Sequence, residues 1–341
     1  MKKILVTGAT GFVGGRLVPQ LLSAGEEVRV FVRDADRLEK SVRDRVDVVE
    51  GGLEDHDAMD RAVAGCSQVL HLAALAQAYV RNPREYFRIN TDSVEALLRS
   101  AARHSVRRVV HVSSVAALPP EKYAACWGIS HRPTPYAESK TASEILVRKY
   151  VADGHDAVIV RPSRVYGPGP WNDANSTTRL MALYLAGRFR IRLADGDVQA
   201  NYVHVDDVAA GIALAARNGR SGEAYALGGE NASMVEYLAT ISDISGIRRR
   251  VLKIPPQMVL PFAHMCSMWG WCGGSVSITP AWVNNFLEHR PMDISTSRID
   301  LGYEPRSLRV GVSQTLNWIL GVGGGEQNVY RAIHRFQKSG T

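Results

Sequence analysis

Tyr136 and Lys140 stand four residues apart in the string YAESK, which opens a segment, TASEILVRKYV, that reads as a helix. Both side chains therefore share one helical face. An ordinary tyrosine hydroxyl, with a pKa of about 10, exchanges protons poorly at neutral pH. Lowering it by roughly three units takes about 4 kcal/mol, which an ammonium about 4 Å away supplies at an effective dielectric of about 20. Lys140 is thus expected to make Tyr136 a working acid or base. Ser114 closes the run RRVVHVSS, and a hydroxyl there can hold a reacting oxygen while Tyr136 moves a proton. Ser113 competes for that role; Ser114 is the preferred assignment.

These groups need elements to hold them. RRVVHVSS reads as a buried strand of a parallel sheet, whose last residues lie at the carboxyl edge where doubly wound folds bind ligands. At the start of the chain, Lys3 to Val6 form an apolar run, TGATGFVG follows, and Phe12, Val13, Leu17, Leu21 and Leu22 recur at helical spacing. The pattern is strand, tight turn, helix. Gly8 permits the turn, Gly11 lets backbone approach a phosphate, and Gly14 allows the helix to pack closely. Thr10 lies inside that turn. A pyrophosphate would rest on the helix N-terminus, where free N–H groups and the helix dipole favour negative charge. A phosphate-seating turn together with a proton-moving Tyr/Lys couple implies a nicotinamide-dependent enzyme. After the second strand, where an acidic residue would hold ribose hydroxyls, stand Val32 and Arg33. Arg33, with Lys40 as a second positive charge, favours the 2′-phosphate of NADP(H), with NAD(H) as the alternative; solvated surface charges are the bland explanation.

Taken together, these residues resemble the extended short-chain dehydrogenase/reductase superfamily (NAD-dependent epimerase/dehydratase type) from Lys2 to about Leu320. HLAA at His71 to Ala74, Asn90, RPSRVYGPG at Arg161 to Gly169 and NYVHVDDVA at Asn201 to Ala209 extend the match. VRD after the second strand and LGGEN at Leu227 to Asn231 make the chain similar to the branch of dihydroflavonol reductases, 3β-hydroxysteroid dehydrogenases and hopanoid-associated sugar epimerases. The resemblance implies Tyr136 as acid/base, Lys140 as its electrostatic partner and ribose ligand, and Ser114 as donor to the carbonyl oxygen. It also implies cofactor contacts at Phe12, Val13, Leu53, Leu72, Ala73, Ala74, Asn90, Pro162 and Val165, and a homodimer. Two departures stand out. Gly52 occupies the place of an adenine-binding carboxylate, leaving Asp55 as a substitute, and Gln199, Ala200 and Asn201 stand where nucleotide-sugar enzymes carry an arginine for the diphosphate.

With 341 residues, 45% hydrophobic and 22% charged, the chain can build a large nucleotide-binding domain and a smaller lobe. The expected fold is α/β, a Rossmann-type doubly wound parallel sheet with a smaller, mostly C-terminal substrate lobe. Residues 1–162 and 199–230 form the first, 163–198 and 231–320 the second, and 321–341, which begins GVGGGEQ, a flexible tail. The net charge of +7 is dispersed, without an aromatic-interleaved basic motif, so a nucleic-acid partner is not expected. The four cysteines and ten histidines show no metal-binding spacing. Met1 runs straight into the first strand, which points to a cytoplasmic protein. His71, His111 and His204 read as core residues, and Asp206 with Asp207 as helix capping.

Pro255 to Gly274 is rich in Met, Trp and Leu and nearly uncharged, but too interrupted for a transmembrane helix. Three readings stay open: a core helix, an apolar cover over the substrate, or a patch resting on a membrane surface. Gln77, Tyr79, Trp127, Ser163, Tyr166 and Trp171 are candidate substrate contacts by position. The expected activity is NADP(H)-dependent interconversion of a ketone and a secondary alcohol on a fairly apolar small molecule. The rivals are a nucleotide-sugar epimerase that retains its cofactor, a dehydratase, disfavoured by Val115 and Ala116 where an Asp-Glu pair would be needed, and a dinucleotide-binding redox sensor, which has no use for a tuned phenol.

Overall fold

Apolar runs such as KILVT and VRVFV are buried along nearly their whole length, as strands covered on both faces must be. The computed structural model describes residues 3–77, 80–123, 133–193, 198–271 and 279–321. The central sheet comprises β1 (Lys3–Thr7), β2 (Val28–Val32), β3 (Asp47–Glu50), β4 (Cys66–His71), β5 (Arg108–Val112), β7 (Ala157–Pro162) and β11 (Ala224–Leu227), in the order β11-β7-β5-β4-β1-β2-β3. Every pairing in it is parallel. The strand order reverses between β1 and β4, which places a ligand crevice beyond the carboxyl ends of those strands. The expected doubly wound sheet is present.

Small sheets build the rest: β8 (Arg164–Tyr166), β10 (Gln199–His204) and β12 (Glu230–Ser233) form one, β9 (Ile191–Arg192) and β13 (Leu252–Lys253) another, and β6 (Lys122–Tyr123) with β14 (Glu288–His289) a third. β10 divides two cores. Val203 joins the cluster of Ile4, Leu17 and Val158, whereas Ala200 and Tyr202 join that of Met181, Tyr237 and Val312. Alternation along one strand thus joins the two cores. From β10 the helix Val205–Asn218 returns to pack beside the helix Gly14–Ser23, and Leu301 and Tyr303, late in the chain, also enter the first core.

The cap of Val205–Asn218 differs from expectation. The His204 ring accepts from the Asp206 N–H at 3.3 Å, while Asp206 and Asp207 pair with Arg16 (2.5 Å) and Arg306 (2.9 Å). The two carboxylates stand in the first turn, where negative charge is favourable as expected, but the side-chain cap is His204 and they also hold neighbouring segments.

Among the described residues no helix is long and apolar enough to cross a membrane, and no cluster of His, Cys, Asp and Glu could hold a metal ion. Cys66 and Cys266 are free thiols. Tyr79, Trp127, Cys126, Cys272 and the segment 322–341 lie outside the described residues.

At the first turn Gly8 has φ +76°, open to glycine at little cost. A Cβ on Gly14 would lie 2.1 Å from the Gly8 carbonyl oxygen, and one on Gly169 2.5 Å from the Phe12 ring. Gly14→Ala should therefore lose about 1–3 kcal/mol of stability, read as a lowered midpoint in thermal denaturation; an unchanged midpoint would show that the turn can shift freely.

Candidate active site

The turn Gly8–Gly14, the loop after β4, the end of β5 and the start of the helix Pro135–Ala152 converge on one long cleft. Gly11 donates to the Gly8 carbonyl at 2.9 Å and Gly15 to that of Gly11 at 2.9 Å, so the turn closes on itself ahead of the helix. Leu72, Ala73 and Ala74 lie against it: Leu72 N–H donates to the Thr7 carbonyl (3.3 Å) and Ala73 N–H to Thr7 Oγ1 (3.2 Å). Gly8, Thr10, Gly11, Phe12, Val13, Gly14, Arg33, Leu53, Leu72, Ala73, Ala74, Pro162 and Val165 all line the cleft, as do Ser114, Tyr136, Lys140, Gln77 and Ser163.

Thr134 caps the helix by accepting from the Ala137 N–H at 3.2 Å, and Pro135 stands in its first turn. One face then carries Tyr136, Lys140 and Glu144 at successive turns. Glu144 forms a buried bidentate pair with Arg161 of β7 (2.8 and 2.5 Å) and accepts from Ser113 Oγ at 2.7 Å. That separates the two serines. Ser113 belongs to the buried support, and Ser114, at the mouth of the cleft, hydrogen-bonds Tyr136.

Burial pushes the Tyr136 phenol above its ordinary value, and the Ser114 hydrogen bond works against that. Lys140, buried to 3% exposure, donates to the Val112 carbonyl at 2.8 Å; burial pulls its pKa down to about 8, against the charge of Glu144. This corrects the sequence expectation: with the ammonium on a backbone carbonyl, the phenol is not lowered and stays protonated at neutral pH. A neutral phenol beside a serine hydroxyl is set up to donate a proton.

Beneath the site His71 and His111 stack on adjacent strands with ring centroids 5.8 Å apart. Each has one bonded nitrogen, His71 Nδ1 with Thr7 Oγ1 (2.9 Å) and His111 Nε2 with Ser143 Oγ (3.0 Å), and one buried nitrogen without a partner. Burial first, and the Lys140 charge second, hold His71 down to about 3 and His111 well below the usual range. Both are core residues, neutral at any working pH.

Several expected contacts sit elsewhere. Lys40 is exposed and outside the cleft lining; Arg37, brought round by the short 3-10 turn Ala35–Arg37, lines the cleft beside Arg33 instead. Asn90 does not line the cleft. Its amide clamps Leu75 (2.7 and 3.1 Å) and Ser139 Oγ (3.1 Å), fixing the loop after β4 to the helix Pro135–Ala152. Asp55 accepts from the Ala58 N–H (2.9 Å) as a helix cap and does not line the cleft either, while the direction of a Cβ on Gly52 meets open space. Tyr166 is 1% exposed in the second core, and Trp171 stacks on Trp318 at 5.1 Å; neither lines the cleft.

The sequence reading missed the substrate end. Leu180, Leu183, Phe189, Met234, Tyr237, Val259 and Phe286 line it with Arg164, Arg179, Arg188, Arg190 and Arg290. Arg290 also braces the turn after Ser114 through the Val115 (3.2 Å) and Leu118 carbonyls. Only the spacing GRFRIR at Gly187 to Arg192 signalled this basic stretch.

The model of the NAD dependent epimerase/dehydratase family matches residues 4–228. The chain is 30% identical to "Sterol demethylase protein B" of Methylococcus capsulatus, covering 92% of this chain and 97% of that one. It is 31% identical to "4-hydroxy-2-methyl-3-oxo-4-farnesyl-3,4-dihydroquinoline-1-oxide ketoreductase" of Stigmatella aurantiaca, over 78% and 80%. Among solved structures, the dTDP-glucose 4,6-dehydratase DesIV of Streptomyces venezuelae, crystallised with NAD bound, is similar at 25% identity and a TM-score of 0.70, over 93% of this chain and 96% of that one.

Two measurements test the site. Ser114→Ala should lower kcat by about 100-fold with an unchanged melting midpoint, whereas Ser113→Ala should lower the midpoint with kcat nearly kept; the reverse pattern would exchange their roles. In a pH profile of kcat/KM the alkaline limb should fall near pH 8, where the Lys140 ammonium is lost; a limb at about pH 10 or above would assign it to Tyr136 instead.

Proposed function

Because the chain belongs to the NAD dependent epimerase/dehydratase family, within the extended short-chain dehydrogenase/reductases, it is a nicotinamide-dependent oxidoreductase, and we propose that it uses NADP(H) to interconvert a ketone and a secondary alcohol on a fairly apolar small molecule. The observation that carries this reading is the juxtaposition of a neutral Tyr136 phenol and Ser114 with a substrate end walled by Leu180, Leu183, Phe189, Met234, Tyr237 and Phe286. The similarity to a farnesyl-dihydroquinoline-oxide ketoreductase and to a protein named sterol demethylase protein B supports it.

The residues present suit the dinucleotide. At Gly8, Gly11 and Gly14 a Cβ would meet backbone at 2.8, 3.0 and 2.1 Å, so only glycine fits this tight turn, and the start of the helix Gly14–Ser23, which has no side-chain cap, is where a pyrophosphate would rest. Arg33 and Arg37, exposed on the cleft lining, fit a 2′-phosphate. The bound nicotinamide supplies the hydride acceptor or donor. In the reducing direction Ser114 donates a hydrogen bond to the substrate oxygen, and Tyr136 gives that oxygen its proton as the carbonyl carbon gains hydride. We assign to the Lys140 ammonium, one helical turn beyond Tyr136 on the same face, the offsetting of the negative charge left on the phenolate; while it donates to the Val112 carbonyl it does not lower the resting phenol. In the oxidising direction each transfer reverses.

A nucleotide-sugar epimerase is the second reading, and the arginines at the substrate end favour it. The dehydratase reading lacks its acids, since Val115, Ala116 and Ala117 form the turn after Ser114. Calorimetric titration should give tighter binding of NADPH than NADH, and Arg33→Ser with Arg37→Ser should weaken NADPH by about tenfold or more while sparing NADH. Turnover should follow with sterol, flavonoid or β-keto acyl ketones and vanish in Tyr136→Phe; turnover confined to UDP- or dTDP-sugars without net redox change would select the epimerase.

A further inference from the structure

The helix Pro256–Trp271 has two opposed apolar faces. Val259, Ala263 and Ser267, each one turn after the last, face inward: Val259 and Ala263 pack with Leu193, Val283 and Leu287, and Val259 and Ser267 line the substrate end of the cleft. On the other side Met258, Phe262, Met265, Met268 and Trp269 are exposed by 71%, 50%, 62%, 71% and 66%. A soluble surface does not ordinarily carry so many large apolar side chains on one helical stripe. Of the three readings that the sequence leaves open, the core helix describes the inner face only.

What surrounds that stripe selects its partner. No Asp or Glu stands between Asp243 and Glu288, while Arg248, Arg249, Arg250 and Lys253 do. The strand pair β9/β13 that leads into the helix exposes Ile191 (38%) and Leu252 (51%) beside Arg190 and Lys253. An apolar stripe within a segment, 244–287, that carries cations and no carboxylate complements a surface of hydrocarbon beneath anionic headgroups. A protein partner would need one flat acidic and apolar face to match it.

We propose that this helix seats the enzyme on anionic lipid bilayers, with its outer face in the headgroup boundary and its inner face as the wall between the bilayer and the cleft. Docking stands on the outer face and does not depend on which substrate the enzyme takes. If the substrate is a lipid, the helix is also its entry point.

Co-sedimentation with vesicles of phosphatidylcholine, with and without phosphatidylglycerol, tests this. The full chain should pellet with the phosphatidylglycerol vesicles and be released by salt. Met265→Glu with Trp269→Glu, and separately Arg250→Gln with Lys253→Gln, should each reduce partitioning by about tenfold or more while leaving NADPH binding and the melting midpoint unchanged. Wild-type binding to neither vesicle, or equal binding by the glutamate variant, would overturn the proposal. So would a wild-type dimer in light scattering that the glutamate variant converts to monomer, since the stripe would then be covered by a second copy. NADPH binding read in the same samples keeps failure of docking apart from failure of the enzymatic reading.

Discussion

The buried ion pair between Glu144 and Arg161 is the constraint on which the site depends. It ties the helix carrying Tyr136 and Lys140 to β7, and through Ser113 to the end of β5, so three elements are fixed relative to one another just below the cleft. Removing one partner of such a pair leaves a charge stranded in a low-dielectric interior and costs about 3–5 kcal/mol. Glu144 also helps Lys140 keep its proton by opposing the effect of burial. Structural support and electrostatic tuning are thus the same interaction, one helical turn apart.

Above that support the chemistry is divided between neutral and charged groups. The phenol is kept protonated by burial, the ammonium beneath it is held by a backbone carbonyl, and two uncharged histidines floor the site. A site built this way holds its proton on the oxygen acid and moves positive charge only through Lys140. The buried histidines offer no alternative acid, since burial removes them from titration over the working range.

Much of this was legible in the sequence because it is local. The glycine spacing fixes the first turn, period and strand runs fix the sheet, and Tyr136, Lys140 and Ser114 announce themselves by type and position. What escaped depends on distant partners. Of the expected pair Arg33 and Lys40 only Arg33 lines the cleft, with Arg37 beside it, because the 3-10 turn carrying Arg37 is set by Asp34 accepting from Asp36 N–H and by Glu50, on the neighbouring strand, accepting from Ala35 N–H. Tyr166 and Trp171 looked like pocket aromatics, yet Tyr166 donates to the Leu308 carbonyl inside the second core and Trp171 stacks on Trp318 at that core's edge, both partners lying far along the chain. Asn90 matches its motif but spends its amide on clamping a loop. Ser114 is preferred over Ser113 from the sequence, and the physical reason for separating them is visible only in the fold, where Ser113 donates to Glu144.

The contact of Phe12 with Gly169 has a bearing on how such enzymes can be recombined. Phe12 belongs to the dinucleotide turn and Gly169 to the loop leading into the substrate lobe, and no side chain fits between them. The glycine is therefore demanded by a ring that lies far earlier in the chain. A chimera that grafted a foreign substrate lobe onto this nucleotide-binding half would inherit a steric quarrel at that seam unless both positions travelled together. The natural unit of exchange is consequently larger than either lobe.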